Sequence, residues 1–188
     1  MMAFIGRTSR SRGPVVAAPP VIPSLDDPEE LRRQQAVDAL GIVESPPEER
    51  FDRIVNMAKS LYHTQAAAFS LVDRDREWMK SCVGYPAADI SRERSFCSVT
   101  IQQDEPLFVG DATLDPRFSS HPGVLGAPHV RFYYGVPVRD RDGEKIGALC
   151  VIDTVPRDRS TVDESQLLML AQLIQFELNM TPSYSDAR

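Results

Sequence analysis

The stretch Arg131–Asp153, RFYYGVPVRDRDGEKIGALCVID, has the pattern of two long β-strands joined by a tight turn. Side-chain alternation predicts one face of the first strand formed by Phe132, Tyr134, Val136 and Val138. It predicts one face of the second strand formed by Ile146, Ala148, Cys150 and Ile152. The opposite faces are almost as apolar, which is typical of strands that are covered on both sides. Asp142-Gly143 favours a hairpin turn, because glycine readily adopts the positive φ that such turns need.

The neighbouring segments extend this pair into a larger sheet. Ala66–Val72 is short and apolar throughout, and a polar turn separates it from a second predicted strand, Glu77–Val83. A short helix is predicted over Ser95–Gln102 and a further strand over Leu107–Asp111. Residues 84–130 are otherwise irregular and interrupted by prolines, which is typical of a binding region in a compact domain. We therefore expect an α+β fold, with helices on one face of an antiparallel sheet and loops enclosing a pocket on the other.

Three longer helices are predicted from their start signals and apolar spacing. Asp27-Pro28 is a helix start, and Gly41 is the expected stop. Ser45–Glu48 has the spacing of a capping box before a second helix, and Thr161–Glu164 caps the last one. The second helix is expected to pack against the sheet.

The last helix has two apolar stripes on roughly opposite sides. The first consists of Leu167, Leu170, Ala171, Ile174 and Leu178. The second lies about 180° away, at about 100° per residue, and consists of Met169, Leu173, Phe176 and Met180. One stripe can face the sheet, so the other needs a second partner, either the first helix or another copy of the chain. We expect the second stripe to form a homodimer interface.

Length and composition indicate one cytoplasmic domain. With 188 residues, 42% of them hydrophobic, the chain can bury one core of ordinary size. We expect a disordered Pro/Arg-rich tail over 1–24, a single domain over 25–181 and a short flexible tail over 182–188. The net charge of −6 argues against nucleic acid or an anionic membrane as a partner. Three cysteines without a close pair are typical of reduced intracellular thiols, and no apolar run reaches the roughly 20 residues that span a bilayer.

Six blocks of the sequence, in this order, resemble the GAF domain, a small-molecule sensory module of bacterial histidine kinases, diguanylate cyclases and phosphodiesterases. They are ERFDRIVNMAKSLY (49–62), FSLVDRDREWMKSCVG (69–84), SFCSVTI (95–101), FVGDATLDPRFSSHPGV (108–124), PHVRFYYGVPV (128–138) and IGALCVIDTVPR (146–157). The resemblance covers roughly residues 30–180. It implies a central antiparallel sheet of about six strands, with the first, second and last helices on one face and a ligand cavity on the other. Because no kinase, cyclase or phosphodiesterase sequence follows, we expect output in trans, through dimerisation or a partner such as a kinase or cyclase.

The candidate ligand-binding residues come from the irregular region and the adjoining strand. They are Phe96, Cys97, Asp111, Asp115, Arg117, Phe118, His129, Arg131 and Tyr133. Arginine can hold a carboxylate or phosphate through two hydrogen bonds, and aromatic side chains can stack on a planar ligand. The alternative is that Asp115-Pro116-Arg117 forms a turn and that Arg131 pairs with a carboxylate to pin the loops to the sheet. In that alternative the aromatic residues belong to the core and His129 is a structural hydrogen-bonding residue.

Several ligand classes lack their sequence signals. Cys97, His121 and His129 have none of the usual zinc spacings. The Asn-Lys pair of cyclic-nucleotide-binding relatives and the Cys-His pair of bilin-binding relatives are both absent from the sequence. We therefore expect no metal, cyclic nucleotide or bilin, and an unknown small molecule as the ligand.

The expected function is a sensory and regulatory module that is not an enzyme and that binds a small molecule or a protein partner as a homodimer. One alternative is a thiol-dependent enzyme similar to the free methionine sulfoxide reductases, which are stand-alone GAF proteins, with Cys82 and Cys97 as catalytic candidates. Another is a structural dimerisation module that takes no ligand.

Overall fold

The computed structural model describes residues 21–86 and 88–180. The helices are α1 (Pro28–Leu40), α2 (Glu49–Tyr62), α3 (Phe96–Thr100), α4 (Pro122–Leu125) and α5 (Glu164–Met180). The strands are β1 (Ala66–Asp73), β2 (Arg76–Val83), β3 (Ile90–Ser91), β4 (Leu107–Val109), β5 (Phe132–Arg139) and β6 (Lys145–Asp153). The predicted tails lie outside the described residues except for residues 21–24, which have no regular secondary structure.

The six strands form one antiparallel sheet in the order β3-β2-β1-β6-β5-β4. Both predicted hairpins, β1-β2 and β5-β6, are confirmed, and β6 lies between β1 and β5 in the middle of the sheet. The β5-β6 connection spans residues 140–144. The Asp140 carboxylate accepts hydrogen bonds from the backbone N–H groups of Asp142 and Glu144, at 3.0 and 2.8 Å. Gly143 has a φ of 90°, as the turn prediction required.

One residue of the central hairpin lies on the opposite face from the one predicted. Val138 pairs with Gly147 and Arg139 pairs with Lys145, so Ile146 is an extra residue in a β-bulge. The bulge turns Ile146 towards the helices, where it is fully buried, whereas Ala148 and Cys150 face the other way. The prediction that Ile146 shares their face was wrong, because strict alternation does not allow for an inserted residue.

Helices α1, α2 and α5 cover one face of the sheet and enclose the larger hydrophobic core. The start of α2 lies against the end of α5, since Arg50 donates a hydrogen bond to the Glu177 carbonyl. The end of α2 lies against the start of α5, because the Tyr62 hydroxyl accepts from the Leu167 N–H at 3.0 Å. The two helices are therefore antiparallel. Burial raises the pKa of Tyr62 to about 12, so this hydroxyl stays neutral.

The helix starts confirm one prediction and correct two. The Asp27 carboxylate caps α1 by accepting from the Glu29 N–H, and the helix ends at Gly41 in a left-handed conformation. The predicted box at Ser45–Glu48 is wrong, because the Ser45 hydroxyl instead donates to the Ile42 carbonyl at 2.7 Å. The cap of α5 is Asp163, which accepts from the N–H of the second helical residue, rather than Thr161.

The second face of the sheet is covered by short helices and loops, which form a smaller core with β1, β5 and β6. α3 packs here, as do residues 112–130, whose buried side chains are Ala112, Phe118, Val124 and Val130. No helix among the described residues is long and apolar enough to cross a membrane.

Candidate ligand-binding cavity

A cavity of about 250 Å³ lies between the second face of the sheet and the segments that cover it. Strands β1, β2, β5 and β6 form its floor. Its walls come from two segments, the first with Tyr85, Ile90, Arg94, Phe96 and Cys97 and the second with His121, Pro122, Gly123, Ala127, Pro128 and Val130. The apolar side chains on its surface belong to Ala66, Ala68, Met79, Ile90, Phe96, Pro122, Ala127, Pro128, Val130, Tyr133 and Ile152, together with the thiols of Cys82, Cys97 and Cys150. Its polar side chains belong to Glu77, Tyr85, Arg94 and His121. The cavity is therefore mainly apolar, with a few polar groups.

A β-bulge in β2 decides which side chains reach the cavity. Phe69 pairs with Ser81 but Ser70 pairs with Met79, so Lys80 is an extra residue. Before the bulge, alternation places Glu77 and Met79 on the cavity side; after it, the same side is occupied by Cys82 rather than Ser81. The Ser81 hydroxyl instead donates to the α2 carboxylate of Asp52, on the helix side, at 2.5 Å.

Tyr133 forms the centre of the floor and is 1% exposed. Its ring lies flat beside Gly135, where a Cβ atom would come within 2.2 Å of the Tyr133 hydroxyl oxygen. The hydroxyl is 2.7 Å from the Thr100 hydroxyl and donates to the Cys97 sulfur at 3.4 Å. Burial raises the pKa of Tyr133 well above its ordinary value. Tyr133 is thus a neutral hydrogen-bonding residue that fixes α3 to the sheet.

An aromatic cluster forms one wall. The Phe96 ring stacks on Phe118 with centroids 4.2 Å apart and lies 5.0 Å from the Tyr133 ring. His121 closes the cluster at 4.9 Å from Phe96. One His121 nitrogen lies 2.7 Å from the Arg94 carbonyl, and the other accepts from the Gly123 N–H. These two hydrogen bonds join the loop around α4 to the segment before α3 and hold the wall closed.

The three thiols line the cavity without forming an activated nucleophile. The Sγ atoms of Cys97 and Cys150 are 3.9 Å apart, and all three cysteines are free. The hydrogen bond to Cys150, followed by burial, raises the pKa of Cys97 well above its ordinary value. Burial also raises the pKa of Cys82. Because the thiolate is the reactive form, this geometry does not favour catalysis by a cysteine.

Three of the nine residues predicted to bind a ligand, Phe96, Cys97 and Tyr133, line the cavity. Phe118 lies behind Phe96 in the smaller core and is 2% exposed. The other five residues are in the surrounding loops and at the edge of β5, outside the cavity wall.

Those five residues make local contacts. The Asp111 carboxylate accepts from the Thr113 N–H at 2.9 Å. Asp115 and Arg117 form an ion pair at 2.6 Å within one turn. The hydrogen bonds and charge of Arg117 outweigh burial and lower the pKa of Asp115. Arg131 donates to the carbonyls of Val124 and Val130, at 2.9 and 3.0 Å.

His129 is exposed and has a φ of 61°, and its backbone N–H donates to the Gly126 carbonyl at 2.7 Å. The Asp115–Arg117 ion pair agrees with the alternative interpretation, in which these residues form a turn. The carboxylate partner expected for Arg131 was wrong, because Arg131 donates to backbone carbonyls instead.

Sequence reasoning missed the polar groups of the cavity. Glu77 is 4% exposed, and it interrupts a strand whose cavity face is otherwise apolar. Tyr85 has a buried hydroxyl with no hydrogen-bond partner among the described residues. An acid on the same face as Met79 is a visible signal in the sequence, whereas the placement of Tyr85 and His121 depends on loop folding.

Comparison with known proteins identifies the fold. A family model described as "GAF domain" matches residues 46–178, which is most of the chain. The chain belongs to the GAF domain family. A GAF domain from an Acinetobacter phosphoenolpyruvate-protein phosphotransferase is similar in structure, with a TM-score of 0.56 and 18% identity, over 81% of this chain and 94% of that one. A free methionine-R-sulfoxide reductase from Neisseria meningitidis has a TM-score of 0.57 and 19% identity, over 86% and 95% of the two chains. At these identities the likeness concerns the fold alone.

A curated relative is more similar in sequence. A cyclic di-GMP phosphodiesterase of Pseudomonas aeruginosa is 40% identical over 129 residues, which are 69% of this chain. The aligned region is 22% of that protein, so the chain matches only about a fifth of the length of its relative. This relative is named as an enzyme, and it overturns the expectation from sequence that the chain is not one.

Proposed function

We propose that this GAF domain binds a small molecule in the cavity and thereby regulates the hydrolysis of cyclic di-GMP by a phosphodiesterase. The observation that carries the proposal is the cavity of about 250 Å³. Protein interiors contain few voids larger than a water molecule, which occupies about 30 Å³ in the liquid. A mainly apolar space several times larger, with convergent polar groups, is the ordinary form of a small-molecule site.

The size of the cavity limits its ligand. Sites for drug-sized molecules measure about 300–1,000 Å³, so a cavity of about 250 Å³ suits a molecule with one or two rings. Cyclic di-GMP carries two guanine bases and two phosphates, and Arg94 is the one arginine among the described residues that line the cavity. We therefore place cyclic di-GMP as the substrate of the regulated reaction and a smaller molecule as the regulator.

The link to cyclic di-GMP is supported by the Pseudomonas aeruginosa relative, since the two sequences are 40% identical over 129 residues, which are 69% of this chain. The aligned part is a minor share of that enzyme, so the connection of this chain to the enzyme's activity is part of our proposal.

A homodimer is the proposed route by which binding is transmitted. The outer stripe of α5, formed by Met169, Leu173, Phe176 and Met180, is between 41% and 65% exposed. Met57 and Leu61 of the adjoining helix α2 are also exposed. Contiguous exposed apolar surface is characteristic of protein interfaces. β5 connects the stripe to the cavity, because Tyr133 faces the cavity while the neighbouring Tyr134 hydroxyl donates to the Glu164 carbonyl at the start of α5.

A thermal-shift screen tests ligand binding. The full chain is screened against small metabolites, with Ala68→Phe as the variant whose larger side chain fills the cavity floor. Hits should stabilise the wild type by about 2.7 kcal/mol at 100 times their dissociation constant and leave Ala68→Phe unchanged. Equal stabilisation of both proteins, or the absence of any hit, would remove the cavity as the site.

The cyclic di-GMP part has a separate test. The full chain is produced in a bacterium that carries a fluorescent cyclic di-GMP reporter. Wild type should lower the reporter signal, and Ala68→Phe, at equal protein level, should not. A signal that both proteins leave unchanged, or both lower equally, would refute regulation through the cavity.

A further inference from the structure

Glu77 differs from the other buried acids of the protein. Four carboxylates among the described residues are buried, those of Glu30, Asp73, Glu77 and Asp153. Three of them have an arginine partner. Glu30 pairs with Arg33 and Arg92, Asp73 with Arg74 and Arg76, and Asp153 with Arg157. Glu77 forms no ion pair with any described residue.

The hydrogen bonding of Glu77 is equally incomplete. The Ser95 hydroxyl donates to its Oε2 atom at 2.5 Å, and no other side chain among the described residues donates to the carboxylate. Arg94 lines the same cavity but makes no ion pair with it. A buried carboxylate without a cation or a full set of donors is strongly unfavourable, because it has lost its hydration and gained little in return. The fold holds Glu77 in this state near the start of β2, where it pairs with Val72 of β1 and Ile90 of β3.

A second polar group at the cavity has unmet hydrogen bonding. The Tyr85 hydroxyl is buried and has no hydrogen-bond partner among the described residues. Buried polar groups are nearly always hydrogen-bonded. A hydroxyl without a partner and a carboxylate with a single donor, both at one cavity, therefore indicate a bound molecule that supplies the missing partners. The remaining surface of the cavity is apolar, and a phenyl-sized group would be in contact with Ala68, Phe96 and Tyr133.

We infer that the ligand of the cavity is a small, largely apolar molecule with a cationic nitrogen group, an ammonium or amidinium, that binds the Glu77 carboxylate. This inference rests on the proposed ligand-binding function and adds the chemical class of the ligand. A charged N–H donor gives Glu77 a charge-assisted hydrogen bond, which is shorter and stronger than a neutral one. The Tyr85 hydroxyl is available to a polar atom of the same molecule.

Three probes of nearly equal shape distinguish the effect of ligand charge on binding from the effect of ligand shape. Benzamidine carries the cation, benzamide is its neutral analogue and benzoate is the anion. Their dissociation constants are measured by calorimetry with the full chain of 188 residues. Benzamidine should bind the wild type at least tenfold more tightly than benzamide, and benzoate should bind most weakly.

Glu77→Gln removes the charge with little change of shape and keeps an acceptor for Ser95. It should reduce the preference for benzamidine to less than twofold, while Glu93→Gln, an exposed acid before α3, should retain it. Ligand-free Glu77→Gln should also melt at a higher temperature than the wild type, because an unpaired buried charge is gone. A lower melting temperature would indicate that Glu77 is a structural group.

The outcomes distinguish the two proposals. Equal binding of benzamidine and benzamide to the wild type, abolished by Ala68→Phe, would leave the ligand-binding function standing and overturn the cationic class. A tenfold preference that survives in Glu77→Gln would overturn the role of Glu77. If none of the three probes and no member of the metabolite library binds, both proposals fail. The wild-type comparison decides the ligand class even if a variant does not fold.

Discussion

Gly135→Ala tests how the cavity floor is built. A Cβ atom at Gly135 would lie 2.2, 2.6 and 2.7 Å from three atoms of the Tyr133 side chain. Real Cβ atoms do not approach so closely, so the ring must leave its position. It is fully enclosed, and moving it breaks the 2.7 Å contact between the hydroxyls of Tyr133 and Thr100.

The effect of Gly135→Ala on the free energy of unfolding has two destabilising parts and one stabilising part. Overpacking a core costs about 1–3 kcal/mol, and leaving buried hydroxyls without a partner costs about 1–3 kcal/mol. Replacing glycine within a strand gains back about 0.5–1 kcal/mol. We expect Gly135→Ala to lower the free energy of unfolding by about 1–5.5 kcal/mol, measured by urea denaturation.

Making Gly135→Ala in variants of Tyr133 shows whether the Tyr133 ring causes the loss of stability. Tyr133→Leu lacks the three atoms that the new methyl group would meet, so Gly135→Ala in that background should be neutral or slightly stabilising. In Tyr133→Phe only the hydroxyl is missing, so the overpacking part of the cost should remain and the hydrogen-bond part should disappear. An equal cost of Gly135→Ala in the tyrosine and leucine backgrounds would refute this account of the floor.

Three further predictions concern the interface, a buried ion pair and the thiols. Leu173→Glu should convert the proposed dimer to a monomer in light scattering, whereas the exposed control Gln172→Glu should not; a dimer that persists in Leu173→Glu would exclude the outer stripe. Burial raises the pKa of Glu30, but its bonds to Arg92 and Arg33 outweigh burial and leave the pKa below its ordinary value. The stabilisation by Glu30 is therefore complete above the unfolded-state pKa, about 4.3, and is lost as the pH falls through the lower folded-state value. Arg92→Met should lower the free energy of unfolding by about 3 kcal/mol at pH 7. It should also reduce the amount of stability that is lost as the pH falls, and an unchanged dependence of stability on pH would contradict this prediction. Because the pKa of the buried Cys97 thiol is raised, iodoacetamide at pH 8 should modify Cys97 much more slowly in folded protein than in urea, as mass spectrometry of its peptide would show; equal rates would contradict the raised pKa.

The fold was predictable because its main signals are local. Alternation in β5, the apolar run of β1 and the caps at Asp27 and Gly41 are read from a few neighbouring residues, and tertiary packing agrees with them. The bulges at Lys80 and Ile146 were not predictable, since an inserted residue is recognised only from its pairing with the next strand. Each bulge changes which side chains face the cavity or the helices.

The site was predicted less well than the fold. Arg117 and Arg131 were predicted to bind a ligand because arginine can hold a carboxylate or phosphate. In the structure each binds a neighbouring group of the protein instead. The polar groups that face the cavity come from a strand and a loop, and Glu77 resembles an ordinary exposed strand acid until the sheet is assembled. The aromatic residues Phe96 and Tyr133, which do line the cavity, were found because they lie within a predicted helix and a predicted strand.

The central claim is that a small molecule binds beneath the loops on the second face of the sheet. The most direct measurement is an NMR titration of the isotope-labelled full chain with benzamidine, in which the shifted resonances are mapped on the structure. The account predicts saturable shifts at Ala68, Glu77, Phe96 and Cys150, and their loss in Ala68→Phe. Shifts confined to the outer stripe of α5 would contradict it, as would the absence of shifts both with millimolar benzamidine and with every member of the metabolite library.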